Sequence, residues 1–502
     1  MRPKRLSRSP FFRASPVEAP FIAAGPRPLI FRGSDGNSLG SPSYRPRTSA
    51  DARLETFLSW SAAVLLIVFV FFEVIGFGAL ASGGAAGAEA QGDKIRQLVL
   101  MGLFGWSIVL ALVRSQAAMR LVVASWPALL VLGVMTVSLL WSQFPGLTVR
   151  RAMVFWIYLG IGIGTSVWIT SATRYVGIWA LACGIGVIVD LSSAVVLPDI
   201  AWTDLGFAGL HYQKNSAGLF AFVALVFLAA GGFASRTMPT RLAAFLVFGL
   251  GLVFLMLTRS KNAIGFTVII ALVVLPMLML ARSGRNRWLI LVALLGAFTG
   301  LMLLVLGLQG WSFWDLLGKV SGDSTFTGRN ELWAAALSYI GDNPFLGRGF
   351  GAHWSVPPDA HPLLNKYGWW SSNYDDLISY NQSHNGYLDI AVQLGVLGAV
   401  VVAVFLVSLA NTIWIIFQLG ARHGEDPVPI YAVSCLMIGI LSLNLFESTL
   451  FFPSAPLGAV FFLVSIYLTS WRLNLKQDIG APREISISEP QRKPNSGPWI
   501  RP

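Results

Sequence analysis

The sequence predicts an all-α polytopic membrane protein of about twelve transmembrane helices, with one large, partly helical extracytoplasmic loop between spans nine and ten. Three observations carry that prediction. Of 502 residues, 55% are apolar or aromatic and only 12% are charged, about half the charged share of an average soluble domain. Mean hydropathy is +0.65. Apolar runs of the roughly 20 residues that a bilayer demands recur along most of the chain, separated by short polar breaks. So small a supply of charge cannot keep the surface of a 54.4 kDa soluble enzyme wet.

Residues 1–56 are rich in Pro, Arg, Ser and Gly and hold ten basic residues against four acidic ones. No apolar run there has signal-peptide length. The segment reads as a disordered, basic cytoplasmic tail that sets topology. Residues 57–308 then hold nine candidate spans: 57–80, 97–113, 120–140, 152–171, 175–197, 216–233, 241–257, 262–281 and 287–308. The polar stretch 309–385 follows. Residues 386–471 hold three more spans, at 386–418, 428–446 and 452–471, and 472–502 form a second cytoplasmic tail. An even number of spans puts both termini on one side. With the termini inside, 25 of the 36 basic residues lie on the cytoplasmic face, the bias expected of a multi-pass protein of a bacterial inner membrane.

Other readings fall away on composition. Much of the net charge of +12 lies in one tail, so nucleic acid is not an expected partner. Cys183 and Cys435, the only cysteines, sit in apolar runs, which argues against a disulfide framework. The five histidines are too scattered for metal-ligand spacing. No metal or cofactor is expected.

The basic residues assigned to the outer face are the informative ones. Arg150, Arg151, Lys214, Arg259 and Lys261 sit at outer helix edges, against the topology rule. Each alone can snorkel to headgroups; as a set they suit an anion, and anions that lie against the outer leaflet are chiefly lipid phosphates. The stretch 309–385 adds further candidates. Residues 327–340 predict a short helix with Thr327 as N-cap and Leu332, Ala336 and Ile340 as its apolar stripe. Gly347-Arg348-Gly349-Phe350-Gly351 predicts a tight turn with close backbone approach; no strand precedes it, as a dinucleotide fingerprint requires. Trp333, Trp369 and Trp370 carry flat apolar faces that suit a membrane interface or a sugar ring. His384 stands just before the span 386–418, near the outer surface, and histidine is the side chain best suited to proton transfer near neutral pH. That span, at 33 residues, is roughly 50 Å long, so it should tilt or project. The carboxylates Glu73, Asp190, Asp389 and Glu447 sit in or beside spans, where they serve function or pair with Arg or backbone groups. Asp389 is expected to pair with Asn385, four residues earlier.

At these residues the sequence resembles the O-antigen ligase / Wzy-type polymerase superfamily of membrane glycosyltransferases, and within it the ExoQ-type exopolysaccharide polymerases. The resemblance rests on Thr327-Gly328-Arg329 with Leu332-Trp333, on Asn343-Pro344 with Gly347 to Gly351, and on His384-Asn385 with Tyr387-Leu388 and Gly395. The runs Leu257 to Asn262 and His211 to Asn215 also fit, and the whole covers about residues 57–471. It implies a metal-independent enzyme whose donor is a glycan on undecaprenyl diphosphate and whose acceptor is a sugar hydroxyl. It implies His384 as catalytic base and Arg329 as the catalytic loop arginine. Arg259 and Lys261 are implied for the diphosphate, either one in direct contact, with Arg150, Arg151 and Lys214 beside them. Trp333, Trp369, Trp370 and Asn385 are candidate sugar contacts. A flippase and a chain-length regulator of the same pathway are implied partners. A ligase that moves finished glycan to another lipid or protein shares this chemistry, and a polytopic transporter or lipid flippase is the rival from another class.

Overall fold

The computed structural model describes residues 49–76, 94–281, 329–354, 356–365, 381–452 and 455–480. Residues 1–58 and 59–502 form separate units. In the first, the described residues are the largely exposed opening turns of helix α1 (Ser49–Phe69). That helix starts eight residues before the expected span, inside the segment read as tail. Asp51 lies in its first turn, where the helix dipole favours an anion.

Beyond α1, which continues as a π-turn to Ile75, the second unit is almost wholly helical. In chain order come α2 (Lys94–Val113), α3 (Ser115–Ala124), α4 (Trp126–Val137), α5 (Pro145–Ser166), α6 (Ala172–Val196), α7 (Lys214–Ala234) and α8 (Met238–Leu257). Then follow α9 (Lys261–Ile269, continued to Ala281 through a π-turn), α10 (Arg329–Asp342), α11 (Gly386–His423), α12 (Pro427–Leu443) and α13 (Pro456–Gly480). A two-stranded antiparallel hairpin, β1 (Trp202–Thr203) and β2 (Gly206–Phe207), precedes α7.

Among the described residues, eight helices are long and apolar enough to cross a membrane: α1, α2, α5, α6, α7, α8, α11 and α13. The chain is a multi-pass membrane protein. The pair α3–α4 passes the same test jointly but bends by 72°. The bend falls at Ser125, followed by Trp126-Pro127, and proline there cannot donate to the preceding turn. Lys261–Met277 and Pro427–Leu443 are shorter apolar helices. The expected span 120–140 thus runs across the bent pair, 262–281 and 428–446 fall on the shorter helices, and 287–308 lies outside the described residues, as do Thr327, Trp369 and Trp370. Helix ends differ from the hydropathy limits because caps set them. Ser171 caps α6, Thr237 caps α8 and Asp426 caps α12, each accepting a backbone N–H of the first turn.

Two buried carboxylates serve packing. Glu73 takes a bidentate pair of hydrogen bonds from Arg96 at 2.7 and 2.8 Å and a third from the Tyr158 hydroxyl. Asp190 accepts the Leu210 N–H at 2.9 Å and lies 3.1 Å from Nε2 of His211. Phe155 centres an aromatic cluster with edge contacts to Tyr158, Phe350 and Phe462 at 5.5 to 6.0 Å. Phe350 comes from the glycine-rich run, so that run is anchored in the core of the bundle.

The long helix α11 is broken rather than merely long. Gly395 has φ 60° and ψ −156°, a region open essentially to glycine alone. The amides freed beyond the break go to another segment: Val396 N–H donates to Pro344 O at 2.8 Å and Leu397 N–H to Phe345 O at 3.1 Å. In return Arg348 N–H donates to Val392 O at 3.0 Å and Gly349 N–H to Gln393 O at 2.9 Å. The turn after α10 is thereby plugged into the break. The expected close approach of Gly347 to Gly351 is real: Gly347 lies against the backbone of α11, Gly349 against Ser142 and Gly351 against the Arg151 side chain. Ala336, Tyr339 and Val392 form one small core between α10 and α11. Leu332, Ala335, Trp354, Leu363 and Phe452 form another beneath it.

His353 lies buried in this docked segment, its ring edge-on to Tyr339 and Trp354 at 4.8 Å. Its Nε2 has no hydrogen-bond partner among the described residues. Burial, the Arg348 guanidinium and His361 push its imidazole down to about 3, against about 6.5 in an unfolded chain. Between those two values the unfolded chain holds a proton that the folded one does not. Acidification from pH 6.5 towards 3 therefore favours unfolding, and above pH 6.5 the residue contributes no pH dependence. His353→Phe should flatten the melting temperature of the detergent-solubilised protein across that window relative to the wild type; parallel curves would refute the assignment.

Candidate active site

His384, Arg329 and the motifs that precede α7 and α9 converge on one side chain, Glu447, in the turn between α12 and α13. Its Oε2 lies 2.9 Å from Nδ1 of His384. Its Oε1 accepts from Nη2 of Arg329 at 3.0 Å and from Nδ2 of Asn262 at 3.1 Å, with Nδ2 of Asn215 at 3.5 Å. Ser260 Oγ donates to Asn215 Oδ1 at 3.2 Å and closes the ring of contacts. Burial pushes the Glu447 carboxyl up, but His384, Arg329 and Asn262 outweigh it and hold the group below the usual carboxylate range. An ionised carboxylate only accepts hydrogen bonds, so Nδ1 of His384 carries the proton. In the neutral imidazole that proton position puts the lone pair on Nε2. The His384 side chain is 21% exposed and that of Glu447 only 5%, so the histidine, not the carboxylate, meets the outside.

Local sequence explains the histidine's pose. His384 has φ 55°, which costs a non-glycine residue about 1–2 kcal/mol, and its neighbours enforce it. Asn385 is the N-cap of α11, its Oδ1 accepting the N–H groups of Tyr387 and Leu388 at 3.1 and 3.2 Å. Gly386 donates its N–H to Asn444 O at 2.9 Å. A Cβ on Gly386 would fall 2.0 Å from Asn444 Oδ1, so only glycine permits that approach. Asp389 ties the two turns together. It accepts the Ser383 N–H at 3.3 Å, the Trp354 indole N–H at 2.6 Å and the Ser448 hydroxyl. The expected pairing of Asp389 with Asn385 is therefore corrected. The Asp389 N–H does donate to Asn385 O at 3.0 Å, but the side chains do not pair, because Asn385 Oδ1 is spent capping the helix.

The remaining candidates divide. Arg329 begins α10 and also donates Nη1 to Phe446 O at 2.7 Å. The indole N–H of Trp333 donates to Ser383 O at 3.0 Å, which braces the turn that carries His384. Arg259 and Lys261 flank Ser260, the N-cap of α9, and both are exposed. Arg259 sits at φ 51°. Arg150 is exposed on α5, whereas Arg151 donates Nη1 to Gly351 O. Lys214 donates Nζ to Leu205 O at 3.1 Å. Sequence alone offered Glu447 only as one of four membrane carboxylates; its place four residues beyond the end of α12, in a polar break, was the available signal.

Residues 245–403 match a family model described as O-antigen ligase. The matched segment resembles the O-antigen ligase family. It contains His384, Arg329, Arg259 and Lys261, whereas Glu447 lies beyond it. The chain is also similar to the exopolysaccharide production protein ExoQ of Rhizobium meliloti (strain 1021), at 22% identity over 283 residues. That likeness takes in 54% of this chain and 61% of ExoQ. A polysaccharide-related, glycosyl-transferring role in a membrane fits both likenesses.

Proposed function

We propose that this protein polymerises undecaprenyl-diphosphate-linked oligosaccharide repeats into exopolysaccharide at the extracytoplasmic face of the inner membrane, with both termini cytoplasmic. The observation that carries the reading is the His384–Glu447 contact, which leaves Nε2 of His384 as a partly exposed base. An acceptor hydroxyl is a weak nucleophile until a positioned base takes its proton. In the proposed step the acceptor oxygen forms a bond to the anomeric carbon and the hydroxyl proton passes to Nε2. The bond from that carbon to the diphosphate breaks, and its electron pair leaves with the lipid diphosphate. Fixed cations stabilise the charge that builds there. Arg259 and Lys261 support that role because they are exposed at a helix N-terminus, itself favourable to anions. Arg329, with two nitrogens committed to Glu447 and Phe446, completes the charge of the site. Arg150, Arg151 and Lys214 are the proposed secondary cations. Trp333, Trp369, Trp370 and Asn385 are the proposed sugar contacts.

A second reading, transfer of finished glycan to another lipid or protein, is favoured by the description of the matched family. Purified protein given lipid-linked repeats alone separates the two. Chain growth supports polymerisation; a strict need for a second acceptor supports the ligase. Arg259→Ala should weaken binding of the lipid-linked donor by roughly 10- to 100-fold, the worth of a charged hydrogen bond. Unchanged donor affinity in both Arg259→Ala and Lys261→Ala would remove the cation site from the mechanism.

A further inference from the structure

The geometry points to Glu447 as the positioning residue for His384: its carboxylate fixes the imidazole in the Nδ1–H tautomer and turns Nε2 towards the acceptor. The inference rests on the general-base reading of His384 and adds a residue outside the matched segment. Four observations bear on it. The carboxylate is nearly buried while the imidazole is partly exposed, so the pair has an inner and an outer member. The donors from Arg329 and Asn262 crowd onto Oε1 and leave Oε2 to the histidine. Glu447 and His384 sit on separate turns that are stitched twice, by Gly386 N–H to Asn444 O and by Asp389 to Ser383 and Ser448. The histidine's left-handed backbone would be strained without purpose if its side chain had no fixed direction to keep. A buried carboxylate behind a histidine holds the correct tautomer and stabilises the imidazolium formed when the base takes its proton. Arg329 and the two asparagines give Glu447 enough partners to stay ionised before and after that transfer.

The test is Glu447→Gln in the full chain, reconstituted in nanodiscs. A glutamine side chain can turn its amide N–H towards Nδ1 and so permits the other tautomer. Nitrogen-15 spectra of histidine-labelled protein, with His384→Ala used to assign the signal, should show Nδ1–H in the wild type and a population shifted to Nε2–H in Glu447→Gln. The variant's kcat on the lipid-linked donor should fall about 100-fold or more, while KM for the donor stays within about threefold. Glu447→Asp keeps the charge; it should retain the wild-type tautomer and recover at least a tenth of the rate. An unchanged tautomer in Glu447→Gln overturns the proposal, as does a changed tautomer with a normal rate. If Glu447→Gln does not fold, a loss of the Nδ1–H signal in Glu447→Asp overturns it instead. A normal rate in His384→Ala is a different outcome: it sinks the general-base reading itself, whatever the tautomer.

Discussion

His384→Ala should abolish polymer formation and leave a protein that still inserts, purifies and melts near the wild-type temperature. A positioned general base contributes about 10²- to 10⁴-fold, so the residual rate should fall at least a hundredfold. The fold should tolerate the change for a specific reason. Removing one partner of a buried ion pair is damaging when the other charge is orphaned, but Glu447 would keep Arg329, Asn262 and Asn215. Alanine also bears the same left-handed backbone strain as histidine, so the turn is neither relieved nor further loaded. Initial rates on a lipid-linked donor, read beside a melting curve, decide the matter. Polymer at normal rate from His384→Ala removes this histidine from the chemistry.

Gly395→Ala is the second large effect, and here stability should fail. The new side chain must adopt a backbone conformation that costs an L-residue about 1–3 kcal/mol. Its Cβ would also stand 2.4 Å from the Phe345 carbonyl carbon and 2.6 Å from Leu346 N. Those are backbone atoms, so no side-chain rotation relieves the clash and the plugged turn must leave. Four hydrogen bonds that cross the break leave with it. The loss should reach at least about 3 kcal/mol, with activity lost as well because α10 carries Arg329. Gly105→Ala is the control, since a Cβ there meets nothing within 4 Å and an Ala in a helix interior is mildly stabilising. A Gly395→Ala protein that melts with the wild type would show that the break is dispensable.

These two positions also mark how far the sequence could be read. Hydropathy found the eight long apolar helices among the described residues because a lipid-facing helix must be apolar along its length, and that requirement is local. His384 and Arg329 were legible because their motifs are short and stand at predicted helix starts. The short helix after Thr327 was legible, although Ala335 and Tyr339 join Leu332 and Ala336 on its buried face, with Ile340 at the edge. Glu447 was not legible as their partner. It is 63 residues from His384 and 118 from Arg329, and no periodicity links residues across three helices. Asp389 misled because i,i+4 logic presumes side chains free to meet, and the Asn385 side chain is turned onto its own helix end as the N-cap. The break at Gly395 was hidden for a related reason. A glycine in an apolar run reads as close packing, and the feature that makes this one different is a carbonyl of Phe345, fifty residues upstream.

The plugged helix has a consequence for recombination. Grafting the segment between two spans from a relative would place the joins at the helix ends. Here such a graft would bring in foreign residues at 344–349 and ask them to satisfy amides belonging to the recipient's α11. The smallest unit that carries its own hydrogen bonds runs from α10 through Leu397, and it has to travel with the turn that holds Asn444 and Glu447. Chimeras cut at Gly386 should be inactive, and those that also carry the first turns of α11 past the break, together with residues 444–452, should be the ones that work.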